Sequence, residues 1–533
     1  MGHQQGSTPV EAEMALPQRA DGGDGLRRIH EGALQWAITT PDAPALTEGA
    51  RTWSYAALAA SVERAAAFLR GIGVRAGDRV MLVGENGAAL AAFILAASRL
   101  DACAVLENAR RAPLEVDRIC CHCDPRRVVY LVGNSPDARA HALRAEASLS
   151  RLDELGEVAC GPLNESAATD PVSGTERDLA VLIYTTGTTG EPKGVMLMHA
   201  NLLFLGRMMV QLRRLHPADR VYGALPITHV MGLAAVFGGT FRAGAQLFIV
   251  PRFNVADCAA ALATHGITIM QGAPAMFAKL AEHARSHPVA APRLRFIAAG
   301  GAPIDATVKA DTEALFPGLT LHNGYGLTEG SGLCWTRLDD PRADDSVGRA
   351  LPGVELKLLD AQGQPVPAGG VGELWARGPQ VMQGYYRNPA LTARVLRDGG
   401  WFNTEDLARI DADGNVFIVG RTKDLIISGG FNVYPLEVEN ALNAHPAVVH
   451  SAVVGRAGAS SEDVIAFVEL VAAQRPALAE LQAFLGERIS PYKRPREIYA
   501  MAALPCSPNG KVLKNRLKQM LAQSDMPDAT RLA

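Results

Sequence analysis

Neither sign of charge is in excess. Lys and Arg total 52 against 55 for Asp and Glu, a formal charge of −3 over 533 residues. Composition therefore gives no electrostatic support for a nucleic-acid or acidic-membrane partner. Long apolar runs are missing as well. Ala88 to Leu106 is interrupted by Arg99 and Asp101, and Ala224 to Val250 contains His229, Arg242 and several glycines. Neither supplies the run of about 20 apolar residues that a membrane span needs. The N-terminal stretch has no basic region leading into an apolar core, which argues against a secretory signal. The eight cysteines follow no framework spacing, which excludes a disulfide scaffold and suits a reducing, cytoplasmic setting. Cys120-Cys121-His122-Cys123 invites a zinc reading, but no second ligand pair follows at finger-like distance. Small thiols at a helix end are the simpler account. Repeats, heptads and low-complexity tracts are absent.

What is present is an alternation of helix-period segments with short β-branched runs, the pattern of layered α/β structure. Val80–Val83, Val128–Val132 and Ala180–Tyr184 read as buried parallel strands. Helices are expected at Ala56–Leu69 and Ala88–Leu100. Two further units run from helix Val255–Thr264 into strand Ile267–Gln271, and from helix Pro274–Arg285 into strand Leu294–Ala299. From about residue 345 the strands become short and closely spaced, with turn signals at Asp360-Ala361-Gln362-Gly363 and Asp411-Ala412-Asp413-Gly414. After Gly420 a third composition begins, with helix Leu436–Asn443, strand Val448–Val454 and helix Leu478–Ile489. The expected organisation is a disordered tail at 1–26, a large layered α/β domain over 27–420 containing a β-rich subdomain over 345–420, and a small α+β C-terminal domain over 421–533.

The sharpest motif is Tyr184-Thr185-Thr186-Gly187-Thr188-Thr189-Gly190-Glu191-Pro192-Lys193-Gly194, directly after a predicted strand. Glycines allow a tight turn that aims amides at an anion, hydroxyls add donors, and Lys193 adds a compact positive charge. A Walker A loop is excluded, because Lys193 follows Pro192 and precedes Gly194 where that motif requires Gly-Lys-Ser/Thr. Further along come Leu225-Pro226-Ile227-Thr228-His229-Val230-Met231-Gly232, Ala299-Gly300-Gly301-Ala302-Pro303 and Gly324-Tyr325-Gly326-Leu327-Thr328-Glu329. Then follow Gly372-Glu373-Leu374, Thr404-Glu405-Asp406, Gly420-Arg421-Thr422-Lys423-Asp424, Ser428-Gly429-Gly430-Phe431-Asn432 and Pro508-Asn509-Gly510-Lys511.

In this order and spacing, from about residue 30 to about residue 520, the chain resembles the adenylate-forming superfamily. That superfamily includes acyl- and aryl-CoA ligases, firefly-type luciferases and peptide-synthetase adenylation domains. The resemblance implies an AMP-forming acid–thiol ligase that uses ATP, Mg²⁺ and coenzyme A, with a C-terminal domain that moves as a lid. It also implies residue roles. Thr185, Thr186, Gly187, Thr188, Thr189 and Lys193 would hold the β- and γ-phosphates, and Glu329 would bind Mg²⁺. Gly300, Gly301, Ala302, Tyr325 and Gly326 would border the adenine, and Thr328 would contact the α-phosphate. Asp406 would accept from the ribose hydroxyls, helped by Arg421. Lys511 would bridge the carboxylate and the α-phosphate, Lys423 would be the hinge, and Gly429 and Gly430 would let a pantetheine arm pass. His229 would sit near the adenylate carbonyl. Glu405 stands where many relatives have glycine, which leaves the loop geometry there open.

The acid pocket implied by motif register contains His229, Met231, Gly232, Ala235, Gly301, Gly324, Gly326, Gly332 and Leu333. No Arg or Lys is among them, so a second carboxylate would be costly to bury, and Gly332 leaves room for depth. A medium- or long-chain fatty acid is the expected substrate, with a cinnamate- or benzoate-type aryl acid as the alternative. A ligase that loads a carrier protein or a luciferase-like oxygenase, and a catalytically silent acyl- or nucleotide-binding protein, are the other readings. No nucleic-acid partner and no membrane span are expected; a homodimer is compatible with the sequence.

Overall fold

The computed structural model describes residues 25–186, 192–340, 344–428, 431–457, 462–471, 474–506, 512–523 and 529–532. The expected N-terminal tail falls almost wholly outside them. So do Gly187, Thr188, Thr189, Gly429, Gly430, Lys511 and the side chain of Thr186.

Two large sheets dominate the first 350 residues. One is eight-stranded, in the order Gly384–Tyr385, Pro192–Met198, Leu179–Thr186, Cys103–Asn108, Arg79–Gly84, Arg127–Tyr130, Gly156–Cys160 and Ser148–Leu152. The strands foreseen around Val80, Val128 and Ala180 lie in its centre, and the first two pair in parallel. Leu179–Thr186 is parallel to Cys103–Asn108 on one side and antiparallel to Pro192–Met198 on the other. The second sheet is nine-stranded, in the order Arg349–Ala350, Cys334–Trp335, Leu321–Tyr325, Phe296–Gly300, Ile269–Gly272, Arg220–Gly223, Gln246–Ile249, Pro44–Glu48 and Arg51–Ser54.

Helix Ala88–Arg99 is apolar all round. Every residue from Leu90 to Ala97 is buried, which its run of alanines permits because small side chains allow close approach on all faces. Helix Val255–Thr264 starts where Asn254 Oδ1 accepts from the amides of Ala256 and Asp257, at 2.9 and 3.1 Å. Helix Tyr55–Gly71 packs against Ala88–Arg99, and Pro274–Ala284 packs against Val255–Thr264 and Ala306–Leu315.

The β-rich segment forms a five-stranded sheet of Glu355–Leu359, Val371–Arg377, Trp401–Ile410, Leu396–Arg397 and Val416–Arg421. Its last strand runs through Arg421, one residue beyond the boundary drawn from composition. Beyond a single 3₁₀ turn, Thr422–Asp424, a hairpin leads to a four-stranded sheet of Val448–Ala457, Glu462–Leu470, Glu497–Met501 and Ala529–Arg531, with helices Pro435–Asn443, Leu478–Gly486 and Lys514–Gln523. The apolar clusters divide at the same place. One large cluster draws on residues 33–416, whereas two smaller ones lie entirely within 426–532.

Three buried histidines give the fold a pH dependence of definite sign. Burial pushes His30 down to about 4, and His199 and His322 to about 3. Each is neutral in the folded chain, whereas the unfolded chain takes up protons below its ordinary value near 6.5. The unfolded state therefore binds more protons over that range, and stability is lost as pH falls from 6.5 towards 4. Each histidine is expected to cost roughly 2 kcal/mol by pH 5 relative to pH 7.5. Denaturant melts at the two pH values check this, and a midpoint that does not fall at pH 5 contradicts it.

Candidate active site

The described residues flanking the phosphate-loop motif are two paired strands. Strands Leu179–Thr186 and Pro192–Met198 pair through Thr185↔Lys193 and Thr186↔Pro192, so the loop is anchored by two strands of the large sheet. Gly194 is required at its base, since a β-carbon there would lie 2.9 Å from the Tyr184 ring. Lys193 Nζ lies 5.6 Å from the centre of the Tyr385 ring. Tyr385 in turn donates its phenol to Glu329 Oε1 at 2.8 Å. Burial, with Glu329 adding to it, pushes the Tyr385 phenol far up, so it remains a donor at neutral pH. Lys193, Tyr385 and Glu329 thus form one group at the loop's base.

A second group lies at the end of strand Leu321–Tyr325. The Tyr325 phenol donates to Asp406 Oδ2. Arg421 Nε lies 3.0 Å from Asp406 Oδ1. Asp406 is 3% exposed. Burial, then the Asp406 charge, hold the Tyr325 phenol well above its ordinary value. The Asp406 amide is itself fixed by Thr404 Oγ1 at 3.1 Å. A carboxylate has lone pairs for about four donors, so Asp406 can take the phenol and the guanidinium on separate oxygens. Gly326 admits no other residue, because a β-carbon there would come 2.0 Å from the Ser331 carbonyl oxygen. Gly301 has φ +81° at the exposed strand end, and Ala302 beside it is exposed. Thr328 is buried in the 3₁₀ turn Thr328–Gly330.

The loop geometry at Glu405 is resolved by its backbone. Glu405 has φ +58°, the left-handed region that glycine favours. Asn403 Oδ1 accepts its amide at 2.8 Å. The glycine-type conformation is kept despite a β-carbon, at a cost of about 1 kcal/mol. Lys423, in the turn Thr422–Asp424, lines a cleft with Glu373, Asn403 and Glu405. Its ammonium is held below the usual lysine range by burial and then by Arg421, with Lys193 contributing.

His229 is half-buried at the head of a π-helix, Met231–Gly238, a rare form that concentrates at functional sites. Its amide donates to the Pro226 carbonyl at 3.0 Å. Gly232 is obligatory, since a β-carbon would lie 2.1 Å from the Pro226 oxygen. Met231 packs over Gly300, its sulfur 3.3 Å from where a β-carbon would be. Ala235 and Leu333 are buried.

The structure differs from the sequence reading at Gly332. The depth expected there is filled: a β-carbon on Gly332 would meet Leu205 Cδ1 at 2.8 Å and Trp335 Nε1 at 3.4 Å. The same indole stands 2.7 Å from a β-carbon on Gly324. Trp335 was not legible as a pocket residue, because it reaches Gly324 through an antiparallel pairing that doubles the chain back. Behind it lies a cation that the motif register missed. Arg213 is buried with its guanidinium 5.0 Å from both the Trp335 and Phe296 rings, and it donates to the Thr336 carbonyl at 2.6 Å. Burial pulls it down to about 9.

The AMP-binding enzyme family model matches residues 34–386, and the AMP-binding enzyme C-terminal domain matches residues 437–511. The chain belongs to the AMP-binding enzyme family. Feruloyl-CoA synthase from Amycolatopsis sp is 32% identical over 501 residues, covering 92% of this chain and 99% of the relative. The long-chain-fatty-acid–CoA ligase of Bacillus subtilis (strain 168) is 35% identical over 356 residues, covering 66% and 63%. Among solved structures, ATP-bound MatB from Rhodopseudomonas palustris superposes with a TM-score of 0.82 at 29% identity, covering 94% of this chain and 100% of that one. As an AMP-binding enzyme of the adenylate-forming superfamily, the chain is an acyl-CoA synthetase, an ATP-dependent acid–CoA ligase. Among its described residues no helix is long and apolar enough to cross a membrane.

Proposed function

We propose that this ligase activates a compact aryl acid of the cinnamate or benzoate type, rather than the fatty acid suggested by its small pocket residues. The observation that carries this reading is the Trp335 indole, which with Leu205 takes the space in front of Gly324 and Gly332. An alkyl chain extending past Gly332 would meet a buried ring backed by Arg213, whereas a flat ring stopping short of it would stack or pack edge-on. Coverage supports the same choice: the feruloyl-CoA synthase match spans 99% of that protein and the fatty-acid ligase match 63%.

In the first half-reaction an oxygen of the acid attacks the α-phosphorus of ATP. An acyl–O–P bond forms, the bridge to the β-phosphorus breaks, and pyrophosphate leaves. Lys193 and the amides of its loop hold the β- and γ-phosphates. Asp406, oriented by Tyr325 and Arg421, accepts from the ribose. Glu329, fixed by Tyr385, offers one hard carboxylate, and Mg²⁺ binds by one or two such groups together with phosphate oxygens. The ion would neutralise charge on the phosphates. Lys511 balances the charge that builds at the α-phosphate. In the second half-reaction the thiol of coenzyme A, giving up its proton to solvent, attacks the acyl carbonyl; the C–S bond forms, the acyl C–O bond to the phosphate breaks, and AMP leaves with that oxygen.

Lys423 is the hinge between the two arrangements. Proline at that position fixes φ and also restricts Thr422. Lys423→Pro is expected to leave adenylation within about threefold of the parent while slowing thioester formation by on the order of tenfold or more. Pyrophosphate exchange and single-turnover thioester formation separate the two, and equal losses would contradict the assignment.

The substrate reading is tested by acid-dependent ATP–pyrophosphate exchange with cinnamates, benzoates and saturated fatty acids of increasing length. Aryl acids are expected to exceed fatty acids in kcat/KM by at least about tenfold, and Trp335→Ala should raise activity towards the longer chains. Fatty acids that match or exceed the aryl acids with the parent enzyme would overturn it.

A further inference from the structure

The sheet beneath the acid pocket carries a polar side chain that no motif identifies. In strand Ile269–Gly272, Gln271 pairs in parallel with Ala298, two residues before Gly300. Ala298 pairs with His322, two residues before Gly324. Side chains alternate along strands, so Gln271, Ala298, Gly300, His322 and Gly324 share one face. That face is the acid side, where Met231 covers Gly300 and Trp335 covers Gly324. The neighbouring Gly272 points the other way, towards Phe277 and Met276 of helix Pro274–Ala284.

Gln271 is 5% exposed, and its Nε2 has no hydrogen-bond partner among the described residues. A primary amide has two N–H donors, and leaving them buried without an acceptor is costly. The rest of its strand supplies none, since Ile269 and Met270 are apolar and fully buried. His322, on the same face, is already engaged, its Nδ1 3.1 Å from Thr336 Oγ1 and its ring stacked on Phe296. Arg213 spends its guanidinium on two rings and the Thr336 carbonyl.

We propose that Gln271 is a specificity-determining residue whose Nε2 amide donates to an oxygen on the distal ring of the bound aryl acid, a phenol or an alkoxy ether. This rests on the aryl-acid reading above. A neutral donor in an apolar wall suits a neutral oxygen, which accepts without bringing a charge into the pocket. The amide has a partner when a substituted acid is bound and none when an unsubstituted one is bound. The enzyme therefore discriminates between them by the hydrogen bond rather than by size.

The test compares 4-hydroxycinnamate, 4-methoxycinnamate and unsubstituted cinnamate in ATP–pyrophosphate exchange, with the parent enzyme, Gln271→Leu and the volume-conserving Gln271→Met. The parent is expected to favour at least one of the oxygenated acids over cinnamate by about tenfold in kcat/KM, carried mainly by KM. Both variants should keep cinnamate within about twofold of the parent and bring the oxygenated acid down to it. Thermal midpoints identify a variant that merely fails to fold, and the parent's own preference needs no variant. A parent that activates cinnamates without preferring oxygenated ones overturns the role of Gln271 and leaves the aryl reading standing. So does a preference that survives both substitutions, or a uniform loss across the three acids. A parent that activates no aryl acid overturns both.

Discussion

Lys511→Ala is expected to lower acid-dependent ATP–pyrophosphate exchange by on the order of a hundred- to a thousandfold, the range for removing one positioned electrostatic stabiliser of a transition state. Attack on the α-phosphorus concentrates negative charge on an already anionic centre, and the cations that the fold itself positions are otherwise occupied. Lys193 sits over Tyr385 at the base of the phosphate hairpin, and Arg421 is committed to Asp406. On the proposed mechanism, the lysine of Pro508-Asn509-Gly510-Lys511 supplies the charge at the point of bond formation. Since the proposal assigns it to the first half-reaction alone, thioester formation from chemically prepared acyl-adenylate and coenzyme A should remain within about threefold of the parent. If that second step falls as far as the first, Lys511 is a structural residue.

Asp406→Ala should damage both nucleotide binding and the fold. The carboxylate is buried and receives the Tyr325 phenol on one oxygen and Arg421 Nε on the other. Its removal strands a cation and a phenol that burial keeps protonated. Breaking such a pair costs about 3 kcal/mol, and loss of the ribose acceptor is expected to raise the KM for ATP by roughly a hundredfold. Asp406→Asn keeps one acceptor oxygen and should recover part of the stability but little of the affinity. An unchanged KM for ATP in a folded Asp406→Ala enzyme would remove Asp406 from the nucleotide site.

Much of this architecture can be read from local pattern. Helix Val255–Thr264 lies where its capping asparagine and apolar period place it. The strands around Val80 and Val128 follow from short, uninterrupted valine-rich apolar runs. Ends are less legible. The helix expected to reach Ile489 stops at Gly486, and by Ser490, the residue before Pro491, the backbone is extended with ψ 149°. The strand expected from Ile267 begins at Ile269. The acid pocket was the least legible part. Gly332 reads as space only until Leu205, from a helix more than a hundred residues earlier, and Trp335, from a doubled-back strand, are set against it. Gln271 and Arg213 carry no local signal at all, because what distinguishes them is the lack of a nearby acceptor or carboxylate, a property of three-dimensional surroundings rather than of sequence. Glu405 shows the converse: its identity departs from glycine while its backbone stays in the left-handed region.

The separation of apolar clusters at residue 426 has an energetic consequence. Among the described residues, the C-terminal sheet is covered on both faces by apolar clusters drawn from 426–532, separate from the large cluster of the N-terminal domain. A body built in this way can be re-seated against its neighbour without opening hydrocarbon to water. The difference between two seatings is then set by a handful of surface contacts, each worth about 1 kcal/mol or less. A bound ligand typically couples to such an equilibrium by about 1–3 kcal/mol, so on the proposed mechanism the order of the two half-reactions can be written into which small molecule is bound rather than into a separate switch.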